Sequence, residues 1–432
     1  MKVSVYGLWH LGTVTAASLA SLGHDVVGLD RDPGTVADLS RGVPPIAEPG
    51  LADLLRAGLD QSNLRFTTDP ADALADADVV WITFDTPVDE DDNADVASVL
   101  DAAEELFPFL RDDAFVLVSS QLPVGSVTQL EQRFGRARPD ANVHFGCSPE
   151  NLRLGRALDA FLRPDRIVVG IRDANDQARV AELLRDVPTT IEWMSVESAE
   201  MVKHAINAFL ATSIAFTNEV ASICERVGAD AREVERGLRS EPRIGPRAYV
   251  GAGAAYSGGT LARDVAFLIE LGRVHDVPTA LLRGARSSND EHQNWAQRQL
   301  ALELGEIRGR TIGVLGLTYK PGTDTLRRSG AVRLCESLAK EGAKVSAYDP
   351  ALTALPDALS GFISYAADAL GALTGCDAAV VATEWPEFKS LDADAIAEVM
   401  MTKPVVIDPN AFLKNSLGAS AAVRYRSVGM PA

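Results

Sequence analysis

Cysteine is scarce in this sequence, with only four in 432 residues. The four lie far apart, and their spacing matches neither a zinc site nor a disulfide framework: Cys147, Cys224, Cys335 and Cys376. We therefore expect four buried, unpaired thiols and no bound metal. Unpaired thiols are typical of a reducing compartment, so a cytoplasmic location is predicted.

Basic charge and long hydrophobic runs are lacking as well. The chain has 41 Lys and Arg against 60 Asp and Glu, a net charge of −19. Nucleic acids and anionic membranes favour a basic face, so neither is expected as a partner, whereas an anionic small molecule needs only a locally positive pocket. No apolar run reaches the roughly 20 residues that span a bilayer, and the N-terminus is typical of a strand and turn rather than a signal peptide.

Glycine, in contrast, is concentrated in one stretch, residues 251–264, which has four glycines within nine residues. Such a segment is too costly in backbone entropy to form a helix or strand, so a loop is predicted. Its bare N–H groups would suit a phosphate. A surface linker is the alternative, but the loop leads directly into an amphipathic helix beginning near Leu261.

The first thirty residues predict a strand, a tight turn at 7–12, an alanine-rich helix and a second strand that ends at Asp30. In this arrangement a pyrophosphate binds at the helix N-terminus and the acid accepts hydrogen bonds from a ribose. Asp30 would repel a 2′-phosphate and so favours NAD over NADP, although Arg31 leaves the choice open. Trp9 replaces the middle glycine of the usual dinucleotide-binding pattern.

The remaining chain predicts an α/β fold with two Rossmann-like doubly wound domains joined by a central all-α segment with a long helix. The predicted boundaries are 1–195, 196–300 and 301–432. In the first domain, buried strands end in small polar or acidic residues near Thr86, Gln121 and Glu150. In the helical segment, Lys203 and Asn207 are four residues apart and share a face. A lysine that reaches out to solvent is the alternative explanation for Lys203.

Many of these residues fall in motifs that resemble the UDP-glucose/GDP-mannose dehydrogenase family along nearly the whole chain. The matching motifs are residues 7–12 with Asp30, Glu48-Pro-Gly50, Thr86-Pro87, Pro149-Glu150, 166–170, 203–207, Asn218-Glu219, Arg243-Ile-Gly245, the glycine stretch to Asp264, 316–320, 324–327 and 383–386. Members of this family use two NAD to oxidise the primary alcohol of a nucleotide sugar to a carboxylate, through a thioester on a cysteine.

The resemblance implies NAD as the cofactor, a nucleotide sugar as the substrate and a homodimer or higher oligomer through the long helix. It implies catalytic roles for five residues: Lys203, Asn207, Asp264, Glu150 and Thr260. It implies cofactor contacts from Gly7, His10, Leu11, Gly12, Asp30, Arg31, Thr86, Gln121, Arg263 and Arg327. Substrate contacts are implied for Arg243, Tyr256, Ser257, Tyr319 and Lys320.

The sequence departs from the family pattern at the position of the nucleophilic cysteine, which is Thr260. Further departures are Gln121, Leu154, Ala262, Arg263 and Asn410. A threonine hydroxyl is a much weaker nucleophile than a thiolate, so the thioester route is in doubt. Hydride transfer from an alcohol does not need the thiol.

We therefore predict an NAD-dependent dehydrogenase that oxidises a UDP-hexose, UDP-glucose by default, with a cysteine-independent site. The reaction would stop at the carbonyl or continue by direct hydration of the aldehyde. Two alternatives remain open: a non-catalytic nucleotide-sugar binding protein, and an epimerase that recycles its NAD.

Overall fold

The computed structural model describes residues 1–87, 89, 94–149, 152, 154–257, 259–401 and 404–431. The chain divides into two compact units, 1–206 and 207–432. Each unit contains one sheet of short strands, and the central strands are hydrophobic and almost completely buried. Parallel strands covered by helices on both faces require such uninterrupted apolar runs.

The first unit is built on an eight-stranded sheet in the order β3-β2-β1-β4-β5-β6-β7-β8, parallel except between β6 and β7. Its strands are β1 Lys2–Tyr6, β2 Asp25–Leu29, β3 Leu64–Thr67, β4 Val79–Ile82, β5 Phe115–Val118, β6 His144–Cys147, β7 Arg166–Gly170 and β8 Thr190–Met194. Its helices are α1 His10–Ser21, α2 Pro33–Ser40, α3 Leu51–Asp60, α4 Pro70–Leu74, α5 Val96–Glu104, α6 Ser126–Ala137, α7 Ala157–Leu162 and α8 Ala174–Leu183. The order β3-β2-β1-β4-β5-β6 is that of a dinucleotide-binding fold.

A single helix of 32 residues, α9 (Val196–Val227), follows the first sheet, and the boundary between the two units falls inside it. It contains no glycine or proline, which explains its length. From Phe209 onward it leaves large apolar side chains exposed, among them Phe209, Phe216 and Ile223.

The second unit continues with α10 Ala231–Ser240, α11 Thr260–Val274, α12 Ala280–His292 and α13 Trp295–Leu304. A six-stranded parallel sheet follows, in the order β11-β10-β9-β12-β13-β14. Its strands are β9 Thr311–Leu315, β10 Lys344–Tyr348, β11 Ile363–Tyr365, β12 Ala378–Val381, β13 Val405–Ile407 and β14 Arg424–Arg426. The helices around it are α14 Gly330–Lys340, α15 Asp357–Ser360, α16 Ala369–Leu373, α17 Ala393–Val399 and α18 Lys414–Leu417.

The predicted fold class is therefore confirmed: two Rossmann-like sheets with a long helix between them in the chain. Within the described ranges, no helix is long and apolar enough to cross a bilayer. The described residues also contain no group of three His, Cys, Asp or Glu side chains that could hold a metal ion.

Candidate functional site

The turn between β1 and α1 requires glycine at both of its ends. Gly7 has a φ of +96°, a backbone conformation that side chains disfavour. A Cβ on Gly12 would collide with the Gly7 carbonyl oxygen and would lie 2.7 Å from Thr83 Oγ1. The absence of a side chain at Gly12 thus lets α1 pack directly on the turn.

The first turn of α1 is suited to an anion. Its N-cap is Trp9, which makes no side-chain hydrogen bond to the helix, and the first turn has no acidic residue. The N–H groups of that turn are therefore available to a pyrophosphate. Asp30 lies at the end of β2, where its Oδ2 accepts the Leu8 N–H at 2.7 Å and its Oδ1 accepts the Asp32 N–H at 3.0 Å. Turn, helix and acid together fit NAD.

His10, the first residue of α1, contacts the buried carboxylate of Glu48 (Nε2–Oε2, 3.1 Å). Glu48 also accepts the N–H groups of Gly155 at 2.9 Å and Ala157 at 2.7 Å. Burial alone would raise the pKa of Glu48, but these hydrogen bonds and His10 outweigh it, so the pKa is lowered. Glu48 thus connects the cofactor turn to the start of α7. Leu11, the second residue of α1, is buried.

A small cavity at the carboxyl ends of β5 and β6 contains the first of the predicted catalytic residues. Gln121, Cys147, Pro149 and Lys203 are among the residues that line it. The Thr86 hydroxyl donates to the Gln121 carbonyl at 2.7 Å, so the structure brings together two residues predicted to contact the cofactor. Lys203 is half-buried on the first part of α9.

Two side chains next to Lys203, which sequence reasoning missed, attach α9 to the loop after β5. Glu200 is buried and accepts the N–H groups of Gly125 at 2.6 Å and Val127 at 3.0 Å. Burial raises the pKa of Glu200, although these two N–H groups oppose the rise. His204 Nε2 lies 2.9 Å from the Leu122 carbonyl. The Lys203 backbone is therefore fixed relative to the loop that carries Gln121.

In the second unit, the loop at 251–257 is fixed by buried side chains from α12. Asn289 accepts the Tyr256 N–H and donates to the Tyr256 carbonyl, both at 2.9 Å. His292 Nε2 lies 2.9 Å from the Gly253 carbonyl, and burial lowers the pKa of this histidine. The Tyr256 phenol has no hydrogen-bond partner among the described residues, and burial raises its pKa to about 12.

Two further asparagines bind the same loop from other elements. Asn218 of α9 accepts the Gly253 N–H at 3.0 Å, and Asn410, after β13, accepts the Ala254 N–H at 2.7 Å. Burial raises the pKa of the Glu384 carboxyl, and a hydrogen bond with Asn410 only partly opposes this rise. The glycine stretch is thus an ordered loop where the structure describes it, not a free linker.

Thr260 is the first residue of α11 and is exposed to solvent. The helix N-cap is Gly259, with a φ of 104° and no side chain to cap the helix. One turn into α11, Asp264 is fully buried and accepts a hydrogen bond from the Asn207 amide. The structure thus joins two of the predicted catalytic residues, and Asn207 lies one turn of α9 beyond Lys203. Arg263 is half-buried beside Asp264 in the chain.

None of the four cysteines is exposed. Burial raises the pKa of the Cys147 thiol well above its usual value, that of Cys335 to about 12 and that of Cys376 to about 11. Reactive cysteines are thiolates in accessible, electropositive surroundings, whereas all four of these side chains are buried. The four cysteines therefore lack the exposure that is typical of a nucleophilic thiol.

The predicted substrate residues are brought together only in part. A Cβ on Gly259 would lie 3.5 Å from the Tyr319 hydroxyl, and a Cβ on Gly330 would lie 3.6 Å from Ser257 Oγ. The glycine loop therefore borders the loop after β9 and the start of α14. Lys320 is half-buried in the loop after β9, and Arg327 is exposed nearby in sequence. The Arg243 side chain is 88% exposed and pairs with Glu241 at 2.7 Å.

Glu150 lies outside the residues that the structure describes. Arg31 donates from Nε to the Tyr6 hydroxyl at 2.9 Å and pairs with Glu105 at 2.7 Å. The sequence signals for the missed residues were weak, because Glu200, Asn289 and His292 are polar residues within helices and nothing local marks them as buried.

Comparison with known proteins agrees with this architecture. Three family models of the UDP-glucose/GDP-mannose dehydrogenase family match the chain: the NAD binding domain at 1–187, the central domain at 197–291 and the UDP binding domain at 313–415. The UDP-glucose 6-dehydrogenase of Rhizobium meliloti is 36% identical over the full length of both chains. That of Pseudomonas aeruginosa is 36% identical, covering 100% of this chain and 98% of its own.

Among solved structures, a UDP-glucose dehydrogenase from Pyrobaculum islandicum superimposes with a TM-score of 0.87 at 31% identity, covering 100% of this chain and 98% of that one. A UDP-D-ManNAc dehydrogenase from Pyrococcus horikoshii gives a TM-score of 0.85 at 25% identity, with 100% and 99% coverage. The predicted family and the predicted cofactor, NAD, are confirmed. The chain belongs to the UDP-glucose/GDP-mannose dehydrogenase family and is an NAD-dependent oxidoreductase acting on CH–OH groups.

Proposed function

We propose that this enzyme oxidises the primary alcohol of a UDP-hexose, UDP-glucose by default, and stops at the carbonyl. The names of its relatives and the match to a UDP binding domain support the substrate class. The observation that carries the proposal is the buried hydrogen bond between Asn207 and Asp264, directly beyond a glycine loop that begins α11 with a threonine. UDP-glucose is the default substrate in this proposal because the full-length relatives above are named UDP-glucose 6-dehydrogenases.

Each catalytic side chain has a role that its chemistry supports. NAD, which the turn between β1 and α1 and Asp30 would hold, would supply the hydride acceptor. Lys203 supplies a cation that stabilises the alkoxide, and Asn207 adds an amide donor one helical turn away. Asp264, oriented by Asn207, accepts the alcohol proton through a water. We also propose that Glu150 is a second base, on the resemblance alone.

We further propose that no covalent intermediate forms. Thr260 is exposed at the N-terminus of α11, where the helix dipole would stabilise a thiolate but leaves a hydroxyl protonated. The four thiols are buried and cannot take its place. The proposed NAD contacts are those predicted above, and the proposed substrate contacts are Arg243, Tyr256, Ser257, Tyr319 and Lys320.

A Thr260→Cys variant tests this proposal. We expect the new thiol to have a lowered pKa, to react with iodoacetamide and to release about twice as much NADH per UDP-glucose as the unchanged enzyme. Thr260→Ser keeps the hydroxyl and is the matched control, with an unchanged yield. Intact-mass spectrometry of the unchanged enzyme, quenched during turnover, should show no sugar adduct.

A sugar adduct on the unchanged enzyme would refute the proposal that no covalent intermediate forms. Binding of nucleotide sugars with no NADH from any of a panel would favour the binding-protein alternative. Conversion of the sugar to an isomer without net NADH would favour the epimerase.

We also propose that the working form is at least a homodimer, cytoplasmic, with the three-part division 1–195, 196–300 and 301–432. Phe209, Phe216 and Ile223 follow one another at intervals of seven residues and are 69%, 52% and 61% exposed, so they form an apolar stripe along one face of α9. A second copy of the same stripe is a suitable partner, because an isologous contact places like surfaces together.

Phe216→Glu is expected to convert the dimer to a monomer, because it places a charge in the centre of this stripe. Sedimentation velocity measures the change. Val43→Glu, at an exposed position in the first unit, is the control and should leave the mass unchanged. A monomeric unchanged enzyme would disprove the proposal.

A further inference from the structure

Arg31 follows the ribose-binding acid, and an arginine near this position is the residue that commonly accepts the 2′-phosphate of NADP. In this chain its guanidinium is already engaged. Nε donates to the Tyr6 hydroxyl at 2.9 Å, and Nη2 lies 2.7 Å from the Glu105 carboxylate. Both partners belong to the same unit as the cofactor turn: Tyr6 ends β1, and Glu105 follows α5.

We propose that Tyr6 and Glu105 determine the cofactor selectivity of this enzyme by binding the Arg31 guanidinium and so withholding it from a 2′-phosphate. A guanidinium recognises phosphate with parallel N–H donors in one plane. When Nε and Nη2 are directed at a phenol and a carboxylate, that pair of donors is occupied. Arg31 is then a latent NADP determinant in an NAD enzyme.

The two partners contribute differently. The Tyr6 residue is buried, and its ring packs edge-to-face on Phe84 with centroids 4.6 Å apart, so the hydroxyl has a fixed position. Burial raises the pKa of Tyr6, so the phenol remains neutral and accepts from Nε. The Arg31 and Glu105 side chains are 49% and 61% exposed, and ion pairs between side chains this exposed contribute little free energy. We therefore infer that Tyr6 positions the Arg31 guanidinium and that Glu105 neutralises its charge.

Asp30 provides the other half of the selectivity. Its two carboxylate oxygens accept the N–H groups of Leu8 and Asp32, so the negative charge cannot rotate away from the ribose side of the turn. Each oxygen keeps a lone pair for a ribose hydroxyl. A fixed anion disfavours a 2′-phosphate, and release of Arg31 would offset that repulsion.

The test is the double variant Tyr6→Phe, Glu105→Gln, with calorimetric titration of NAD, NADP and 2′-phospho-AMP. These binding measurements require no turnover. We expect the affinity for NADP and for 2′-phospho-AMP to rise about tenfold, equivalent to about 1.4 kcal/mol, and the affinity for NAD to change by less than about threefold. Glu105→Gln alone leaves Tyr6 in place and should give a smaller rise in the same direction.

Two controls make the result specific to Arg31. Glu104→Gln removes the neighbouring carboxylate, which pairs with Arg133 at 2.9 Å, and should leave the ratio of NADP to NAD affinity unchanged. Arg31→Ala added to the double variant should abolish the gain. An unchanged ratio in a folded double variant, or a gain that persists without Arg31, would overturn the proposal.

Discussion

Replacing Asp264 with asparagine is expected to lower kcat by about 10³-fold, with the protein still folded. Asp264 is fully buried and accepts a hydrogen bond from Asn207, so it is the oriented carboxylate of the candidate site. An amide of the same shape cannot accept a proton from a water. Burying a neutral amide costs less than burying a carboxylate, so folding should persist.

The matched control is Asp276→Asn, which makes the same change at an exposed position just after α11. Asp276 has a φ of 55°, a conformation that asparagine also tolerates. Steady-state turnover and thermal unfolding should be measured on both variants. A folded Asp264→Asn enzyme whose kcat lies within about threefold of the unchanged value would remove Asp264 from the chemistry.

The Gly12→Ala variant is expected to lose NAD binding almost completely and to be destabilised by about 3 kcal/mol. The new methyl would meet the Gly7 carbonyl and the Thr83 side chain, and a backbone oxygen cannot move aside as a flexible side chain can. To accommodate it, α1 must separate from the turn that presents its N–H groups. Calorimetry with NAD and denaturant unfolding measure the two effects.

Gly135→Ala provides the comparison, because a Cβ at Gly135 in α6 would meet no atom within 4 Å apart from its chain neighbours and the backbone of its own helix. The free energy of unfolding of this variant should rise by about 0.5–1 kcal/mol, since alanine loses less backbone entropy than glycine on folding. Unaltered NAD affinity in Gly12→Ala would show that the cofactor does not bind at this turn.

Much of the first sheet could be predicted from the sequence because its signals are local. The turn glycines Gly7 and Gly12 and the acid Asp30 all fall within one βαβ unit, and their spacing alone indicates a nucleotide fold. The long helix was equally clear, since no glycine or proline interrupts it. The helix after the glycine loop begins at Thr260 instead of near Leu261, a difference of one residue.

The residues that fix the site could not be predicted, because their partners are distant in sequence. The hydrogen-bonded residues Asn289 and Tyr256 are 33 residues apart in sequence. Glu200 and Gly125 are 75 apart, and Asn410 and Ala254 are 156 apart. Nothing in the local pattern of a helix states which polar side chain is buried. The same holds for Arg31, whose partners Tyr6 and Glu105 become visible only in the folded sheet.

We propose above that this enzyme, with threonine at the nucleophile position, oxidises its sugar once. The most direct test of this proposal counts the NADH released per sugar consumed, with excess NAD and UDP-glucose, together with the mass of the product. We predict one NADH per sugar and a product lighter by two hydrogens. Two NADH per sugar, with one oxygen gained and two hydrogens lost, would mean that a carboxylate forms without a thiol and would contradict the claim.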